Sequence, residues 1–203
     1  MDAVNKSIGI IVLAAGASSR MHEPKQLLQF EGKTLLRRAV ETAIATGCKP
    51  VVVVLGANFN RMLAEISDLR VDVCHNTDWR KGLSSSLKCG LENLLNLNPE
   101  IDAFIATLAD QPFVSEANLL ELKNKFLESK KPIVAARYNG IVGVPALFAK
   151  RIFKEFAQIS GDKGAKTIIE KHRKSLVTLD LPEAAIDIDT NDDYVNLQTE
   201  DLF

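Results

Sequence analysis

The sequence predicts an α/β protein, a three-layer αβα sandwich on a mostly parallel sheet. Three observations predict it. Apolar runs of strand length recur without polar alternation, the pattern of strands covered on both faces. Segments of helical period separate them. The 203 residues suit one domain, taken as 1–203, with no linker, internal repeat or low-complexity tract.

Ile8-Gly9-Ile10-Ile11-Val12-Leu13 is the first buried strand, and it runs into the small-residue turn Ala15-Gly16-Ala17-Ser18-Ser19. Thr34 is placed to cap a helix through Thr46, with Gly47 as its stop. Val51–Leu55 is the second strand, and Arg61–Ile66 belongs to a short helix after it. Val71–Cys74 reads as a third strand, Leu83–Leu97 as a helix and Ala103–Leu108 as a fourth strand. Ser115 starts a helix carrying Leu119, Leu122 and Phe126, and Pro132–Ala136 is a fifth strand. Then the rhythm changes. Gly140–Pro145 reads as a glycine-rich bend leading to Ala146–Phe148. Two short helices near Lys150–Gln158 and Gly164–His172 precede strand candidates at Leu176–Leu179 and Ala185–Ile188. Asp192 and Asp193 favour the start of a last helix, where acidic side chains meet the positive end of the helix dipole. Repeated strand–helix units of this kind make a Rossmann-like architecture.

The totals exclude more than they reveal. With 25 basic and 26 acidic side chains, the net charge of −1 excludes nucleic-acid binding through bulk positive charge. Cys48, Cys74 and Cys89 are odd in number, far apart and without a CxxC pair, which argues against a disulfide framework and a zinc site. No run approaches the ~20 apolar residues of a membrane helix, and no signal peptide is visible. A cytoplasmic chain acting on small molecules, with no nucleic-acid or membrane partner, is expected.

Ligands of open parallel sheets bind beyond the carboxyl ends of the strands. After the first strand, Gly16 and its small neighbours let backbone N–H groups form an anion nest, with Arg20 and Lys25 beside it. Arg forks onto phosphate oxygens and Lys acts as a point charge, so this reads as a triphosphate cradle. GxxxxGK[ST] and GxGxxG are both absent, and no acid follows the second strand, which counts against a Walker loop and a dinucleotide site. Asp110, past the fourth strand and before Pro112, is well placed for Mg²⁺, although an Asp in a turn commonly bonds backbone instead. Alternation puts Asp187 and Asp189 on one face of the Ala185–Ile188 segment and its continuation, from which they can converge with Asp110. The cations are expected at one side of the sheet end and the three carboxylates opposite them.

Leu13-Ala14-Ala15-Gly16-x-Ser18-Ser19-Arg20-Met21-x-x-Pro24-Lys25-x-Leu27-Leu28 resembles the signature of the MobA-like nucleotidyltransferases, relatives of the molybdenum cofactor cytidylyl- and guanylyltransferases. The resemblance continues, in order, through Asn76-x-x-Trp79-x-x-Gly82-Leu83-Ser84-Ser85-Ser86-Leu87, Leu108–Pro112, Val142–Pro145, Gly161-Asp162-x-Gly164-Ala165 and Asp187–Thr190. It implies a nucleotide-diphospho-sugar transferase-like fold and transfer of a nucleoside monophosphate to a phosphorylated acceptor, with release of pyrophosphate. It implies that Leu13, Ala14, Ala15 and Gly16 meet base and ribose, and that Ser18 and Ser19 of the same turn also bind the nucleotide. Gly82, Ser84 and Ser85 would close over the base. Arg20, Lys25 and Asp110 would be the catalytic set, and Asp110, Asp189 and Asp187 the Mg²⁺ ligands. Ala14-Ala15-Gly16 looks like the cytidylyl-transferring kind, which implies CTP as nucleotide, molybdopterin as acceptor and a molybdenum enzyme as recipient of the product. Alternatives are another acceptor (a sugar or alcohol phosphate), GTP in place of CTP, an NAD(P)-dependent oxidoreductase, or a non-catalytic cofactor chaperone. His22 stands where the family commonly has Gly.

Overall fold

The computed structural model describes residues 6–18, 21 and 23–198. Ser19, Arg20 and His22 lie outside them, so the expectations resting on those three side chains have no structural counterpart here.

The chain runs β1 (Ile8–Ala14), β2 (Gln29–Phe30), β3 (Lys33–Thr34), α1 (Leu35–Ala45), β4 (Val51–Leu55), α2 (Phe59–Ile66), β5 (Asp72–His75), α3 (Leu83–Leu97), β6 (Ala103–Leu108), α4 (Glu116–Ser129), β7 (Ile133–Tyr138), β8 (Ile141–Ala149), α5 (Phe153–Phe156), α6 (Ala165–Lys171), β9 (Val177–Asp180) and α7 (Asn191–Gln198), with short 3₁₀ turns between. Seven strands form one sheet in the order β5-β4-β1-β6-β8-β7-β9, and β2 and β3 form a small hairpin beside it. All neighbours in the large sheet pair parallel except β8, which runs antiparallel to both β6 and β7.

The continuous apolar runs become its central strands: every residue of β1 and β4 is buried. Side chains alternate between two apolar clusters. Ile10, Val12, Val53 and Ile105 meet Leu36 and Val40 of α1, Met62 of α2 and Leu122 of α4. Ile11, Val52, Val54 and Phe104 meet Leu87, Leu91 and Leu94 of α3, Phe156 of α5 and Ile168 of α6. Helices therefore cover both faces, as the predicted three-layer sandwich requires.

Helix starts follow the capping rules. The Thr34 hydroxyl accepts from the Arg37 N–H at 3.1 Å, and Ser115 with Asn118 forms a capping box at α4. Three expectations need correction. Gly140–Pro145 is no bend. Ile141–Ala149 is one long antiparallel strand, joined to β7 by the left-handed pair Asn139 (φ 45°) and Gly140 (φ 74°). The register shifts where Ala135 pairs Ala146 and Ala136 pairs Gly143, so Val144 and Pro145 sit in the irregularity, where the missing proline N–H costs no ladder bond. Ala185–Ile188 is no strand either: Pro182 starts a 3₁₀ turn, Pro182–Ala185, and the Ile188 N–H goes to the Asp110 carbonyl at 3.1 Å instead of a sheet neighbour. Finally, Cys74 and Cys89 form a disulfide between β5 and α3, Cα–Cα 6.7 Å, which leaves only Cys48 free and buried. An odd count and wide spacing said nothing of two cysteines that strand and helix bring side by side.

Candidate active site

The carboxyl ends of β1 and β6 and the start of α3 enclose a cleft of about 500 Å³. Leu13, Ala14, Ala15, Gly16 and Ala17 form one wall. Their turn is held open from behind by Gln26, 3% exposed, whose Nε2 donates to the Gly16 carbonyl at 3.0 Å. The Ser18 hydroxyl donates to Gln26 Oε1 at 3.1 Å and accepts from the Lys25 N–H at 2.9 Å. Ser18 itself has φ 55°, a left-handed residue that turns the chain back toward Pro24. Ser18 thus shapes the loop without lining the cleft.

The opposite wall is Trp79, Arg80, Gly82, Leu83 and Ser86, with Asp162 closing the end. The Arg80 guanidinium lies 4.6 Å from the Trp79 ring centroid, a cation–π contact that holds it at the cleft. Gly82 has φ 91°, and a Cβ there would lie 2.3 Å from Asp162 Oδ1, so only glycine fits this corner. Of the three residues expected to close over a base, Gly82 alone lines this cleft. Ser84 and Ser85 line an adjoining cavity of about 360 Å³. The reason is helical phase: α3 begins at Leu83, so Leu83 and Ser86, three apart, share the cleft-facing side while Ser84 and Ser85 turn off it. Ser85 Oγ accepts from Asn76 Nδ2 at 2.9 Å and donates to the Gly82 carbonyl at 2.8 Å, which fixes the start of the helix.

At the floor stands Asp110, in the turn after β6. The Lys25 ammonium reaches it at 2.5 Å and Asp189 at 2.7 Å. The cation expected across from the carboxylates is instead bonded to two of them. Burial works against the Lys25 charge, but Asp110 and then Asp189, through charge and hydrogen bonding, outweigh it and hold the ammonium above its ordinary value. Asp189 is presented by α7: Asp193 Oδ2 accepts the N–H groups of Asp189 at 3.0 Å and Thr190 at 2.7 Å. Burial works against the Asp193 charge, but the Thr190 side chain and then these two N–H groups outweigh it and keep the carboxyl below its usual range. Asp187 is shifted up, first by partial desolvation and then by the Asp110 and Asp189 carboxylates facing it. Gln111 ties this floor to the rest of the sheet end, donating to the Ala184 carbonyl at 2.8 Å and the Val144 carbonyl at 3.3 Å.

The expected three-carboxylate cage does not form: among the described residues no group of three or more His, Cys, Asp or Glu stands ready to hold a metal ion. Two carboxylates with Lys25 between them do fit Mg²⁺, which typically takes one or two protein carboxylates and completes its shell with phosphate oxygens and water. Asp110 Oδ1 is buried and lacks a hydrogen-bond partner among the described residues, an unfilled hard-oxygen donor of the kind such an ion takes. Gln26, Trp79, Arg80 and Asp162 were missed as site residues. Trp79 and Asp162 stood inside quoted motifs, while Gln26 and Arg80 occupy unspecified motif positions and carried no signal of their own.

Comparison with known proteins places this cleft in context. The description "MobA-like NTP transferase domain" matches residues 10–176. The chain is 31% identical over 172 residues to nicotine blue oxidoreductase of Paenarthrobacter nicotinovorans, covering 79% of this chain and 80% of that protein. It is 24% identical over 191 residues to the molybdenum cofactor cytidylyltransferase of Escherichia coli (strain K12), covering 93% and 94%. Among solved structures, Rv0371c from Mycobacterium tuberculosis H37Rv aligns with TM-score 0.84 at 30% identity, covering 96% and 98%. A complex of the same protein with manganese aligns at 0.78 and 28% identity, covering 96% and 100%.

Proposed function

The chain belongs to the MobA-like NTP transferase family, and from that premise we propose that it moves CMP from CTP to the phosphate of molybdopterin with Mg²⁺ as cofactor, passing the product to a molybdenum enzyme. The observation that carries the reading is the pairing of a small-residue cradle, Leu13–Ala17, with the Lys25–Asp110–Asp189 cluster at the same sheet end. Near-full-length similarity to a cytidylyltransferase of that class supports the choice of nucleotide and acceptor.

The small side chains of Ala15, Gly16 and Ala17 let the nucleotide lie against backbone. Lys25 supplies positive charge where the leaving pyrophosphate develops its own, and Arg80, clamped on Trp79, offers a second cation on the facing wall. A phosphate acceptor, its second pKa near 6, is already ionised, so no general base is needed and positioning with charge stabilisation supplies the catalysis. When bound between Asp110 and Asp189, Mg²⁺ would screen the two reacting anions from each other. With the carboxylates so engaged, the Lys25 ammonium would be available to phosphate oxygens.

The test is pyrophosphate release from folded protein supplied with molybdopterin, Mg²⁺ and each NTP in turn. CTP-dependent release is expected. No release with any NTP overturns the reading, and release with GTP alone or only with a sugar or alcohol phosphate replaces its nucleotide or its acceptor. Asp110→Ala is expected to abolish turnover with the fold intact. The similarity to nicotine blue oxidoreductase favours a second reading, an NAD(P)-dependent oxidoreductase. Absence of GxGxxG weighs against it, and submicromolar NADPH binding in a titration is what would establish it.

A further inference from the structure

A second cavity, about 420 Å³, lies between α6 and the end of the β7–β8 hairpin and shares no residue with the cleft. Its size falls within the range of small-molecule sites. Val142, Ile169 and Leu176 make an apolar floor continuous with the core. Lys166, Ile169, Glu170 and Arg173 come from one face of α6 and its C-terminal continuation, spaced three, four and seven apart. The rim is charged but unequally committed. Arg137 is engaged in a bidentate pair, its Nε and Nη2 donating to Asp180 at 2.5 and 2.8 Å. Lys166 and Arg173 make no side-chain ion pair among the described residues, although Glu170 stands on the same face. Two uncommitted cations against one carboxylate leave the rim positive in a chain whose total charge is −1. Nothing in the proposed transfer reaction uses these groups.

We propose that this cavity is a second small-molecule site, for a ligand with an apolar body and an acidic group, carboxylate or phosphate. The apolar body covers Val142, Ile169 and Leu176, and the acid meets Lys166 or Arg173. An apolar floor alone would take any greasy compound. The two cations at opposite ends of the helix face supply the selectivity, because a charge-assisted bond from Lys or Arg favours an anion over its neutral isostere.

The probes are phenyl phosphate, benzoate, inorganic phosphate and the neutral benzyl alcohol, each titrated into the full chain and followed by backbone amide NMR. Phenyl phosphate or benzoate is expected to shift the amides of Val142, Ile169, Leu176 and Thr178, with the active acid distinguishing phosphate from carboxylate chemistry. Inorganic phosphate should bind more weakly than phenyl phosphate. The double variant Lys166→Ala, Arg173→Ala changes exposed side chains only, so its unfolding midpoint and Trp79 emission should match the parent, while affinity for the acid falls by ~10-fold or more. Equal affinity in parent and variant, equal binding of benzyl alcohol, shifts confined to Ala14–Ala17, or no saturation at millimolar probe would each overturn the assignment.

Discussion

Replacing Lys25 by Ala removes the ammonium bonded to both Asp110 and Asp189. Turnover is expected to fall by roughly 10²–10³, the usual loss when one preorganised charge partner of a transition state is removed. Pyrophosphate release under saturating nucleotide measures it. Asp187 supplies a second prediction at this scale. Its carboxyl is shifted up by partial desolvation and by two facing carboxylates, so the folded state holds the proton more tightly than the unfolded one. Stability linked to that proton is complete below the ordinary Asp value, ~3.9, and is lost as pH rises through the folded-state value. Asp187→Asn, which cannot ionise, should therefore raise the melting temperature at pH 7 and have a vanishing effect toward pH 3.5. Because the side chain is solvent-exposed, screening keeps the gain small. A lower melting temperature at pH 7 contradicts the shift. The approach of Lys25 and Asp110 to one sheet end was readable from their places after β1 and β6, whereas Asp187 and Asp189 were assigned to a strand that does not form. The bond between Lys25 and Asp189 was not readable, since it spans 164 residues and depends on how the last helix docks.

Strands covered on both faces announce themselves by unbroken apolar runs, which is why Val51–Leu55 and Ala103–Leu108 fall at the bounds the sequence suggested. Helix Leu83–Leu97 does so through its helical spacing of leucines. Strand β8 did not, because Gly143 and Pro145 are punctuation in a local reading and become legible only beside β7, where Gly143 pairs with Ala136 and the register shift absorbs Pro145. Gly90 shows the reverse case, a residue poor for its own helix and required by its neighbours. A Cβ there would lie 2.6 Å from Ile11 Cγ2 and 2.8 Å from Val54 Cγ2. Helix propensity alone favours Ala by ~1 kcal/mol, but forcing α3 off the sheet typically costs 1–3 kcal/mol. Gly90→Ala is thus expected to destabilise, read as a lower urea midpoint at unchanged slope. Thr34→Ala removes the cap of α1 and the 3.0 Å bond to Glu65, and a loss of ~1 kcal/mol is expected from the same measurement.

For the molecule as a whole, the fold class followed from composition and rhythm, while the wall of the cleft depends on contacts no local pattern displays. The Cys74–Cys89 bond is the clearest instance. With a sequence separation of 15, its reduction should lower unfolding stability by ~3 kcal/mol on the chain-entropy account, and denatured protein should expose one thiol before reduction and three after. Equal stability in both redox states would show that the link adds nothing. Between those two cysteines lie Trp79, Arg80, Gly82, Leu83 and Ser86, the wall of the cleft opposite Leu13–Ala17. That stretch is consequently a covalent ring set into the chain. A protease that nicks it once leaves two fragments still fastened together, of unchanged electrophoretic mobility until a reductant is added, and the nicked molecule keeps both anchors of the wall in place.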